Sequence, residues 1–387
     1  MDLPQTDDYR FLLLHDTALL DVRAPVEFNQ GAFPCAENLP LINDQEREEI
    51  GIRYKGLGQD EAIKLGHQLV QGEIKSERVN HWQNFFKQHP QGVLYCFRGG
   101  MRSKISQQWI YEKTGIIYPR VKGGYKAMRR FLIDELETSA LQINPVILGG
   151  RTGIGKTLLL KKLKQQIDLE GIYHHRGSVF GKHATPQPSQ IDIENKLSIE
   201  LLKHLNKQYK QLVFEDEGTN IGSRGIPEVL SNKMKQSPVV LLQASIEERI
   251  NITHQEYIIE SLAEHQTHYG KEQGFNTWAE QLHTSIDKIQ RRLGGVRYKE
   301  LKTLLTDAIE LQQSTANAEL HKQWIKILLV DYYDPMYDFQ LGKKQDRVVF
   351  KGQQDEVLDS SELGNLLLTQ LKLFQNKLLK ELKTYTL

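Results

Sequence analysis

The sequence predicts an α/β protein in which two parallel-sheet domains are followed by a helical C-terminal extension. Two observations predict this class. Short apolar runs alternate with longer amphipathic segments over about residues 10–138, and the same alternation returns over residues 139–250. Such alternation is typical of strand–helix units in parallel sheets. Over residues 251–387 the pattern is mainly helical, and we expect this extension to pack on the second domain.

Composition limits the class of protein. The chain has 387 residues, 39% of them apolar and 26% charged, with a net charge of +1. These values predict a soluble globular protein in which any nucleic-acid contact needs a local basic surface. The two cysteines, Cys35 and Cys96, exclude a disulfide framework and suit a reducing compartment. No signal-peptide core and no apolar run of membrane-spanning length is seen, so we expect a cytoplasmic protein without membrane contact.

Cys96 is the predicted nucleophile of the first domain. It follows the apolar run Val93–Tyr95 and opens the segment C-F-R-G-G-M-R-S, which carries Arg98 and Arg102. Backbone N–H groups of such a loop, together with the N-terminus of the helix that follows, favour a thiolate over a thiol. A lone cysteine beside a turn is more often buried and inert. The two glycines and two arginines favour chemistry at this position.

Three further motifs surround this loop in the sequence. They are D-V-R-x-x-x-E-F from Asp21, G-A-x-P-x-A-x-N-L-P from Gly31 and V-K-G-G-Y from Val121. With these motifs, residues 10–138 resemble a rhodanese domain, which implies a parallel sheet and a cysteine that carries a chalcogen atom as a persulfide. The loop departs from the common rhodanese pattern because it is one residue longer. Its C-x5-R spacing is also that of phosphotyrosine-type phosphatases, and spacing alone does not separate the two chemistries.

The second domain opens with a predicted phosphate-binding loop. The apolar run Val146–Leu148 is followed by G-G-R-T-G-I-G-K-T, which satisfies G-x-x-x-x-G-K-[ST] and continues as a predicted helix over Thr157–Leu163. The residues assigned to phosphate binding are Gly150, Gly153, Gly155, Lys156 and Thr157. The glycines let backbone N–H groups surround phosphate, Lys156 supplies a positive charge, and the Thr157 hydroxyl can hold Mg²⁺. A P-loop NTPase-like α/β domain is therefore predicted.

An acidic group is expected near this loop. Glu215 directly follows the apolar run Leu212–Phe214, at the position of a Walker-B acid, and Asp216 and Glu217 compete for the role. A solvated acidic turn is the alternative. Upstream, the segment L-E-G-I-Y-H-H-R-G-S-V-F-G from Leu169 is interpreted as a loop near phosphate, because no cysteine or aspartate stands at metal-ligand spacing. No metal site and no firm cofactor is predicted, apart from Mg²⁺ at Thr157.

The extension contains a candidate RNA surface. Residues 282–305 are predicted to be helical around a break at Gly294-Gly295, with an apolar side that faces inward. Arg291, Arg292 and Arg297 lie on the other side, which is either a solvated face or a contact for RNA phosphates. A last helix is predicted over residues 359–383.

The motifs together are more specific than either domain alone. The cysteine loop, the P-loop, H-R-G-S-x-F-G, E-D-E and Y-Y-D-P-M-Y resemble, up to about Gly352, the tRNA 2-selenouridine synthases of bacteria. The resemblance implies replacement of sulfur by selenium at C2 of the wobble 2-thiouridine of tRNA. It also implies selenophosphate as donor and geranyl diphosphate as the source of an S-geranyl intermediate. Carried onto this chain, Cys96 would hold selenium as S-selanylcysteine, and Gly150–Thr157 would hold a phosphorylated substrate.

Two other functions stay open at this point. A phosphatase or a plain rhodanese-type sulfurtransferase would use the C-x5-R loop alone, with the P-loop domain as a nucleotide-binding regulator. A nucleotide-dependent RNA-binding switch would use the P-loop domain and retain an inactive cysteine loop. The net charge of +1 neither supports nor excludes the second function.

Overall fold

The structure is a computed structural model that describes residues 3–354 and 356. The chain divides into two compact units. The first comprises the residues up to Ser139 together with Ser189–Lys207, and the second comprises Ala140–Pro188 together with the described residues from Gln208 onward. Mixed α/β architecture with parallel sheets, as predicted, is found in both units.

The elements as far as residue 142 build the first unit. The strands are β1 Gln5–Thr6, β2 Leu19–Asp21, β3 Ala36–Asn38, β4 Val93–Tyr95 and β5 Arg120–Val121. The helices are α1 Tyr9–Leu14, α2 Pro25–Gln30, α3 Asp44–Leu57, α4 Gln59–Leu69, α5 Gly72–Gln88, α6 Met101–Thr114 and α7 Gly124–Gln142. The strands pair in parallel in the order β1-β5-β4-β2-β3. The central strands β2 and β4 are fully buried, as expected for a parallel sheet covered on both faces.

A charged insertion between β3 and β4 forms the three helices α3, α4 and α5. Asn43 begins α3 with a capping box, because its side chain accepts the Glu46 N–H and the Glu46 carboxylate accepts the Asn43 N–H. Helix α5 is anchored by Trp82, which is fully buried and donates to the Leu39 carbonyl. The insertion is therefore a packed part of the unit.

The elements from residue 144 onward contain a second parallel sheet. The strands are β6 Asn144–Gly149, β7 Gln166–Ile167, β8 Gln211–Glu215, β9 Asn220–Ile221, β10 Arg224–Gly225, β11 Val239–Leu242 and β12 Val348–Gly352. The helices are α8 Lys156–Leu160, α9 Leu169–Tyr173, α10 Gln190–Asn206, α11 Glu228–Gln236, α12 Ile246–His254, α13 Ser261–Tyr269, α14 Lys271–Leu293, α15 Gly295–Thr315, α16 His321–Ile327 and α17 Asp334–Gly342. Two π-helical segments, Gln255–Glu260 and Leu328–Tyr333, and a 3₁₀ turn, Gln345–Arg347, complete the list. The sheet order is β12-β11-β6-β8-β7, and β9 and β10 form a separate antiparallel pair.

Two elements in this part of the chain differ from the sequence predictions. Helix α8 ends at Leu160 and not at Leu163. The extension is not only helical, because β12 returns to the sheet and pairs in parallel with β11. Its short apolar run, Val348–Phe350, lies between charged residues and gave no separate strand signal.

Helix α10 belongs to the first unit, whereas the sequence prediction had included it in the second domain. Its buried Ile199 and Leu202 pack in one apolar cluster with Met128 and Leu132 of α7. The Asn195 amide also donates to the Ala32 carbonyl at 2.7 Å. Burial of this apolar face explains why the helix groups with residues distant in sequence.

The helical extension was predicted correctly around residues 282–305. Helices α14 and α15 meet at Gly294, whose φ of 79° needs glycine. Ile286, Ile289 and Leu293 are buried as expected. Within residues 3–354 and 356, no helix is both long enough and apolar enough to cross a membrane. The helix predicted over residues 359–383 lies outside the described residues.

Candidate functional site

The Cys96 site begins where β4 ends. Cys96 is buried, with 3% of its surface exposed, and its thiol donates to the Ser103 hydroxyl at 3.2 Å. Ser103 lies in the first turn of α6 and donates in turn to the Gly100 carbonyl. Carboxyl ends of parallel strands are the usual place for reactive groups in open α/β sheets. The sequence motif therefore places a thiol between a strand end and a helix start.

The loop after Cys96 keeps its backbone donors available. Within the described part of the chain, the N–H groups of Phe97, Arg98, Gly99 and Gly100 donate to neither a backbone nor a side-chain acceptor. Successive unpaired N–H groups before a helix form an anion-binding concavity. The predicted nest is consistent with this geometry.

The V-K-G-G-Y motif supports the cysteine loop from behind. The N–H groups of Tyr125 and Lys126 donate to the carbonyls of Cys96 and Phe97, each at 2.9 Å. Gly124 has a φ of 58°, and a Cβ there would lie 2.1 Å from the Cys96 carbonyl oxygen. Only glycine permits this close approach. The motif thus fixes the loop conformation.

The D-V-R-x-x-x-E motif supplies two ion pairs. Arg23 and Asp21 form a fully buried pair at 2.6 Å, with the Arg23 guanidinium 3.8 Å from the centre of the Tyr125 ring. Glu27 accepts two hydrogen bonds from Arg102. Burial alone would raise the pKa of Glu27, but the hydrogen bonds and charge of Arg102 hold that pKa below its usual value. The Arg102 guanidinium is therefore held in place by Glu27, and this carboxylate is shared with Arg47 at 3.3 Å, so it does not cancel the positive charge beside Cys96.

The two loop arginines differ in environment. Burial would lower the pKa of Arg102, but Glu27 chiefly, and the nearby Cys96 thiol as well, raise it above its usual value. Arg98 is exposed, and its guanidinium carbon lies 5.8 Å from the centre of the Phe97 ring. Arg102 is thus fixed beside Cys96, and Arg98 is free to meet a ligand from solvent.

Cys35 lies in a different setting. Its thiol donates to the Asp16 carboxylate at 3.5 Å. Burial, followed by the charge of Asp16, raises the pKa of this thiol. A thiol held in its protonated form is a poor nucleophile, so Cys35 is a weaker candidate for chemistry than Cys96.

The P-loop has the predicted backbone conformation. Gly150, Gly153 and Gly155 all have positive φ angles, of 147°, 75° and 79°. Gly153 also approaches α12 so closely that a Cβ would lie 2.3 Å from the Thr253 hydroxyl. The loop leads from β6 into α8, with Gly155 at the N-cap. These are the backbone features that a phosphate-binding loop requires.

Lys156 and Thr157 meet acidic groups from other elements. Lys156 donates to the Gly150 carbonyl at 3.3 Å, and the Thr157 hydroxyl donates to Glu170 at 2.8 Å. Burial would lower the pKa of Lys156, but Tyr337, Glu170 and Glu217 raise it above its usual value. Glu170, at the start of α9, lies in the segment that the sequence analysis interpreted as a loop near phosphate, although its carboxylate was not among the predicted site residues.

The three acids at the end of β8 and directly after it have separate partners. Glu215 is fully buried, accepts the Leu169 N–H at 3.0 Å, and burial raises its pKa well above the usual value. Asp216 pairs with Lys344 at 2.6 Å. Burial, and then the charge of Glu170, raise the pKa of Glu217 to about 8. Among the three, Glu217 is the acid that interacts with both Lys156 and Glu170, although the sequence favoured Glu215.

A fourth carboxyl group extends the acidic surroundings of the P-loop. Burial, and then the charge of Glu170, raise the pKa of Glu256 to about 7. Glu256 lies with Thr157, Glu170 and Arg176 around a pocket of about 420 Å³. The H-H-R-G-S segment therefore lies beside the P-loop.

Some residues of the Y-Y-D-P-M-Y motif pack in the core, and others lie near the P-loop. Tyr332 and Tyr333 are buried in the helical core. Asp334 binds two arginines, Arg249 at 2.6 Å and Arg151 of the P-loop at 3.3 Å. Tyr337 was not among the predicted site residues, although its ring centre lies 6.0 Å from the Lys156 amine. The motif thus connects the extension with the P-loop.

One group of side chains in the described residues has the donor spacing of a metal site. The donor atoms of His174, His183 and Glu264 lie within 4.8 Å of one another. The Glu264 carboxylate is already bound by His183 at 2.9 Å and by Arg176 at 3.2 Å. A guanidinium on the same carboxylate disfavours a second cation, so the geometry is that of an ion-pair network.

The predicted RNA arginines lie where the two long helices meet. Arg291 and Arg292 are exposed in the last turn of α14 and have no hydrogen-bond or ion-pair partner among the described residues. Arg297 is also exposed, but it forms an ion pair with Asp331. The guanidinium groups of Arg291 and Arg292 are therefore unpaired in the described chain, whereas that of Arg297 is paired.

Comparisons with known proteins cover both loops. The family described as "tRNA 2-selenouridine synthase AAA domain" matches residues 143–364. A protein of Marinobacter nauticus named tRNA 2-selenouridine synthase is 50% identical over 90% of this chain and 95% of its own length. Proteins with the same name from a Sulfurovum species and from Pseudomonas syringae are 47% and 50% identical. They match over 92% and 91% of this chain and over 97% and 96% of their own lengths.

Proposed function

The chain belongs to the tRNA 2-selenouridine synthase family, and from this premise we propose how its two loops divide the reaction. The protein is a transferase that modifies tRNA, replacing sulfur by selenium to give 2-selenouridine. Its substrate is the wobble 2-thiouridine at C2, the reaction passes through an S-geranyl intermediate, and the protein acts in the cytoplasm. Geranyl diphosphate supplies the geranyl group and selenophosphate supplies selenium.

The first unit is a rhodanese domain in which Cys96 carries selenium as S-selanylcysteine. The observation that carries this assignment is a buried thiol at the end of a parallel strand, beside four N–H groups with no acceptor in the described chain. Such a loop stabilises an anionic chalcogen through backbone dipoles. Arg102, held by Glu27, supplies fixed positive charge, and exposed Arg98 meets the phosphate of the incoming donor.

The P-loop binds the diphosphate of geranyl diphosphate. Gly150, Gly153 and Gly155 supply the open backbone, and Lys156 supplies a charge-assisted hydrogen bond. Attack by the C2 sulfur on the first geranyl carbon forms a C–S bond and breaks the C–O bond to diphosphate. Preorganised donors stabilise the leaving diphosphate.

The residues around Thr157 fit Mg²⁺. The Thr157 hydroxyl and the Glu170 carboxylate, 2.8 Å apart, are hard oxygen ligands of the kind that this ion takes. Raised pKa values of Glu170, Glu217 and Glu256 mark an excess of buried carboxyl groups, and burial is the first cause for each. Bound Mg²⁺ would neutralise charge between these carboxylates and a diphosphate.

Exposed Arg291 and Arg292 contact tRNA phosphates. Their lack of partners in the described chain leaves both guanidinium groups available, while Arg297 contributes less because Asp331 already neutralises it. A local patch of this kind is needed because the net charge of the chain is only +1.

The test is reconstitution with purified components. The protein is incubated with tRNA that contains 2-thiouridine, with geranyl diphosphate and with selenophosphate, and digested nucleosides are analysed by mass spectrometry. We expect S-geranyl-2-thiouridine to appear when selenophosphate is omitted and 2-selenouridine to appear when both are present. If the folded protein formed neither product, the proposed function would be rejected.

A phosphatase at the same loop is disfavoured by one contact. In C-x5-R chemistry the arginine must bind the phosphate ester, but here Glu27 occupies the guanidinium of Arg102 with two hydrogen bonds. Hydrolysis of p-nitrophenyl phosphate by the wild-type protein, lost in Cys96→Ser, would restore that alternative.

A further inference from the structure

A large cleft opens in the first unit beside the cysteine loop. It has a volume of about 970 Å³ and is bounded by α3, α4 and the start of α6. Small-molecule sites in proteins typically enclose about 300–1,000 Å³. The cleft is therefore large enough for a ligand of considerable size, and neither loop described above accounts for it.

The walls of the cleft are mainly apolar. Ile50 of α3, Ile63 of α4, and Ile105 and Trp109 of α6 all line it. At its mouth stand large apolar side chains that remain exposed, Ile52 at 66%, Tyr54 at 57% and Met101 at 42%. Single exposed apolar residues need no explanation, but several around one opening indicate a binding site.

One end of the cleft lies beside the start of α6, next to the cysteine loop. Met101 and Arg102, which line it, are the first residues of α6 and directly follow the cysteine loop. Glu27, which holds Arg102, lines it as well. The Cys96 thiol is close enough to contribute to the raised pKa of Arg102, after burial and Glu27. A group attached to an atom that reacts at Cys96 could therefore extend into the cleft.

We propose that this cleft binds the ten-carbon prenyl chain that the substrate sulfur carries while selenium replaces that sulfur. This inference rests on the proposed function, which supplies the S-geranyl intermediate. The selenium nucleophile forms a C2–Se bond while the C2–S bond breaks, and the sulfur leaves with its chain as geranylthiolate, so the sulfur and its chain must lie beside the selenium site. The chain is an uncharged branched hydrocarbon, which matches the apolar walls. Each buried methylene contributes about a fourfold gain in affinity.

Two glycines allow the cleft to be filled without strain. Gly51 of α3 and Gly66 of α4 both line it. A Cβ at Gly51 would meet no atom within 4 Å, and one at Gly66 would meet only the Ile50 Cδ1 atom at 3.5 Å. Leucine is also a better helix former than glycine. Gly51→Leu and Gly66→Leu should therefore fold and occupy part of the cleft.

A matched control is present in the same helix. Gly56 of α3 also has no atom within 4 Å of a built Cβ, but it is exposed and does not line the cleft. Gly56→Leu makes the same chemical change in the same insertion. Any general effect of the substitution on folding or helix stability should appear in the control.

The experiment measures binding without turnover. The probes are three anticodon stem-loop RNAs that carry S-methyl-, S-dimethylallyl- or S-geranyl-2-thiouridine, added to the full chain without selenophosphate. Binding is followed by the fluorescence of Trp109, which lines the cleft, with Trp109→Phe as the spectroscopic control. For the wild type, we expect at least a tenfold gain in affinity from the S-methyl to the S-dimethylallyl RNA, and at least another tenfold from the S-dimethylallyl to the S-geranyl RNA. Gly51→Leu and Gly66→Leu should lose at least tenfold for the S-geranyl RNA and keep wild-type affinity for the S-methyl RNA, as Gly56→Leu does for both.

Equal affinity of the wild type for S-methyl and S-geranyl RNA would overturn the proposal, as would unchanged chain-length dependence in both cleft variants. The same RNAs incubated with selenophosphate test the proposed function separately. If the wild type binds by chain length but forms no 2-selenouridine, the proposed function fails and the cleft assignment stands. If 2-selenouridine forms equally well in both cleft variants from the S-geranyl RNA, the cleft assignment fails and the function stands.

Discussion

The cysteine loop of the first unit and the P-loop of the second both offer an anion-binding backbone, but the charged groups around them differ. Each follows a parallel strand and leads into a helix, and each offers backbone N–H groups to an anion. Beside Cys96, the fixed cation Arg102 is held by the single carboxylate Glu27. Beside the P-loop, Lys156 is surrounded by several buried carboxyl groups, which include Glu170 and Glu217.

The difference concerns what each loop needs before an anion can bind. Glu27 is held ionised, because Arg102 keeps its pKa below the usual value against the effect of burial. Glu217 has a pKa raised to about 8 by burial and by Glu170, so its charge changes near neutral pH. The first loop is therefore ready for an anionic chalcogen, whereas the second needs protons or a divalent cation to accept a diphosphate.

The largest expected effect is at the first loop. Cys96→Ser should abolish formation of 2-selenouridine, because the hydroxyl is nearly isosteric but far less nucleophilic and cannot carry selenium. Geranylation should continue, since it belongs to the second loop. Mass spectrometry of nucleosides measures both products, and Cys35→Ser is the matched control that should retain wild-type activity. Wild-type selenation by Cys96→Ser would remove the carrier role.

Loss of the P-loop lysine should have the next largest effect. Lys156→Ala removes a charge-assisted contact of about 1.5–3 kcal/mol, which corresponds to a loss of about 10- to 150-fold in affinity for geranyl diphosphate. Calorimetric titration with geranyl diphosphate, selenophosphate and ATP assigns the ligand. Lys162→Ala, in the turn after α8 and outside the pocket beside Thr157, is the control for removal of one lysine. Equal affinity of Lys156→Ala and wild type for all three ligands would exclude phosphate binding at this loop.

The acidic surroundings of the P-loop predict a pH effect of intermediate size. Without Mg²⁺, affinity for geranyl diphosphate should fall about tenfold as pH rises from 7 to 9, because Glu217 loses its proton near pH 8 and repels the ligand. Excess Mg²⁺ should flatten this profile. Titrations at several pH values measure both effects.

Two variants test whether Glu217 causes this pH dependence of binding. Glu217→Gln cannot ionise and should lose most of this fall, with a smaller fall remaining from Glu256, whose pKa is about 7. Exposed Glu228→Gln on α11 should behave as wild type. A fall in affinity of the same size in Glu217→Gln would assign the pH dependence to another group.

The comparison also shows what could be predicted from the sequence. Both loops were found because glycines, cationic residues and an adjoining apolar strand lie next to one another in the chain. Glu27 was visible within D-V-R-x-x-x-E-F, but its pairing with Arg102 depends on the folded contact between α2 and α6. Glu170 was visible only as part of the segment from Leu169, and Glu256 gave no signal, because a carboxylate is ordinary in a helix until folding buries it beside others.

Long-range packing accounts for the remaining differences. The sequence could not show that α10 would pack on α7 of the first unit, because its apolar stripe suits any core. The same holds for β12, whose pairing with β11 joins residues more than one hundred positions apart. The sequence could not show that Glu217, and not Glu215, is the acid beside Lys156. That outcome depends on the position of α9, because the Leu169 N–H donates to the Glu215 carboxylate.

The smallest expected effect concerns tRNA, which both loops must receive. Replacement of Arg291 and Arg292 by alanine should reduce the log–log salt slope of tRNA binding by about 0.7–0.9 per lost phosphate contact. Arg297→Ala should change the slope less, because Asp331 already neutralises that guanidinium. Filter binding at several salt concentrations measures the slope, and geranyl diphosphate affinity should stay unchanged.

If the double variant keeps the wild-type slope, the RNA surface lies elsewhere. The next candidate is then α7, where Lys126 is exposed and without an ion-pair partner among the described residues, while Arg129 and Arg130 are paired with Glu194 and Asp134.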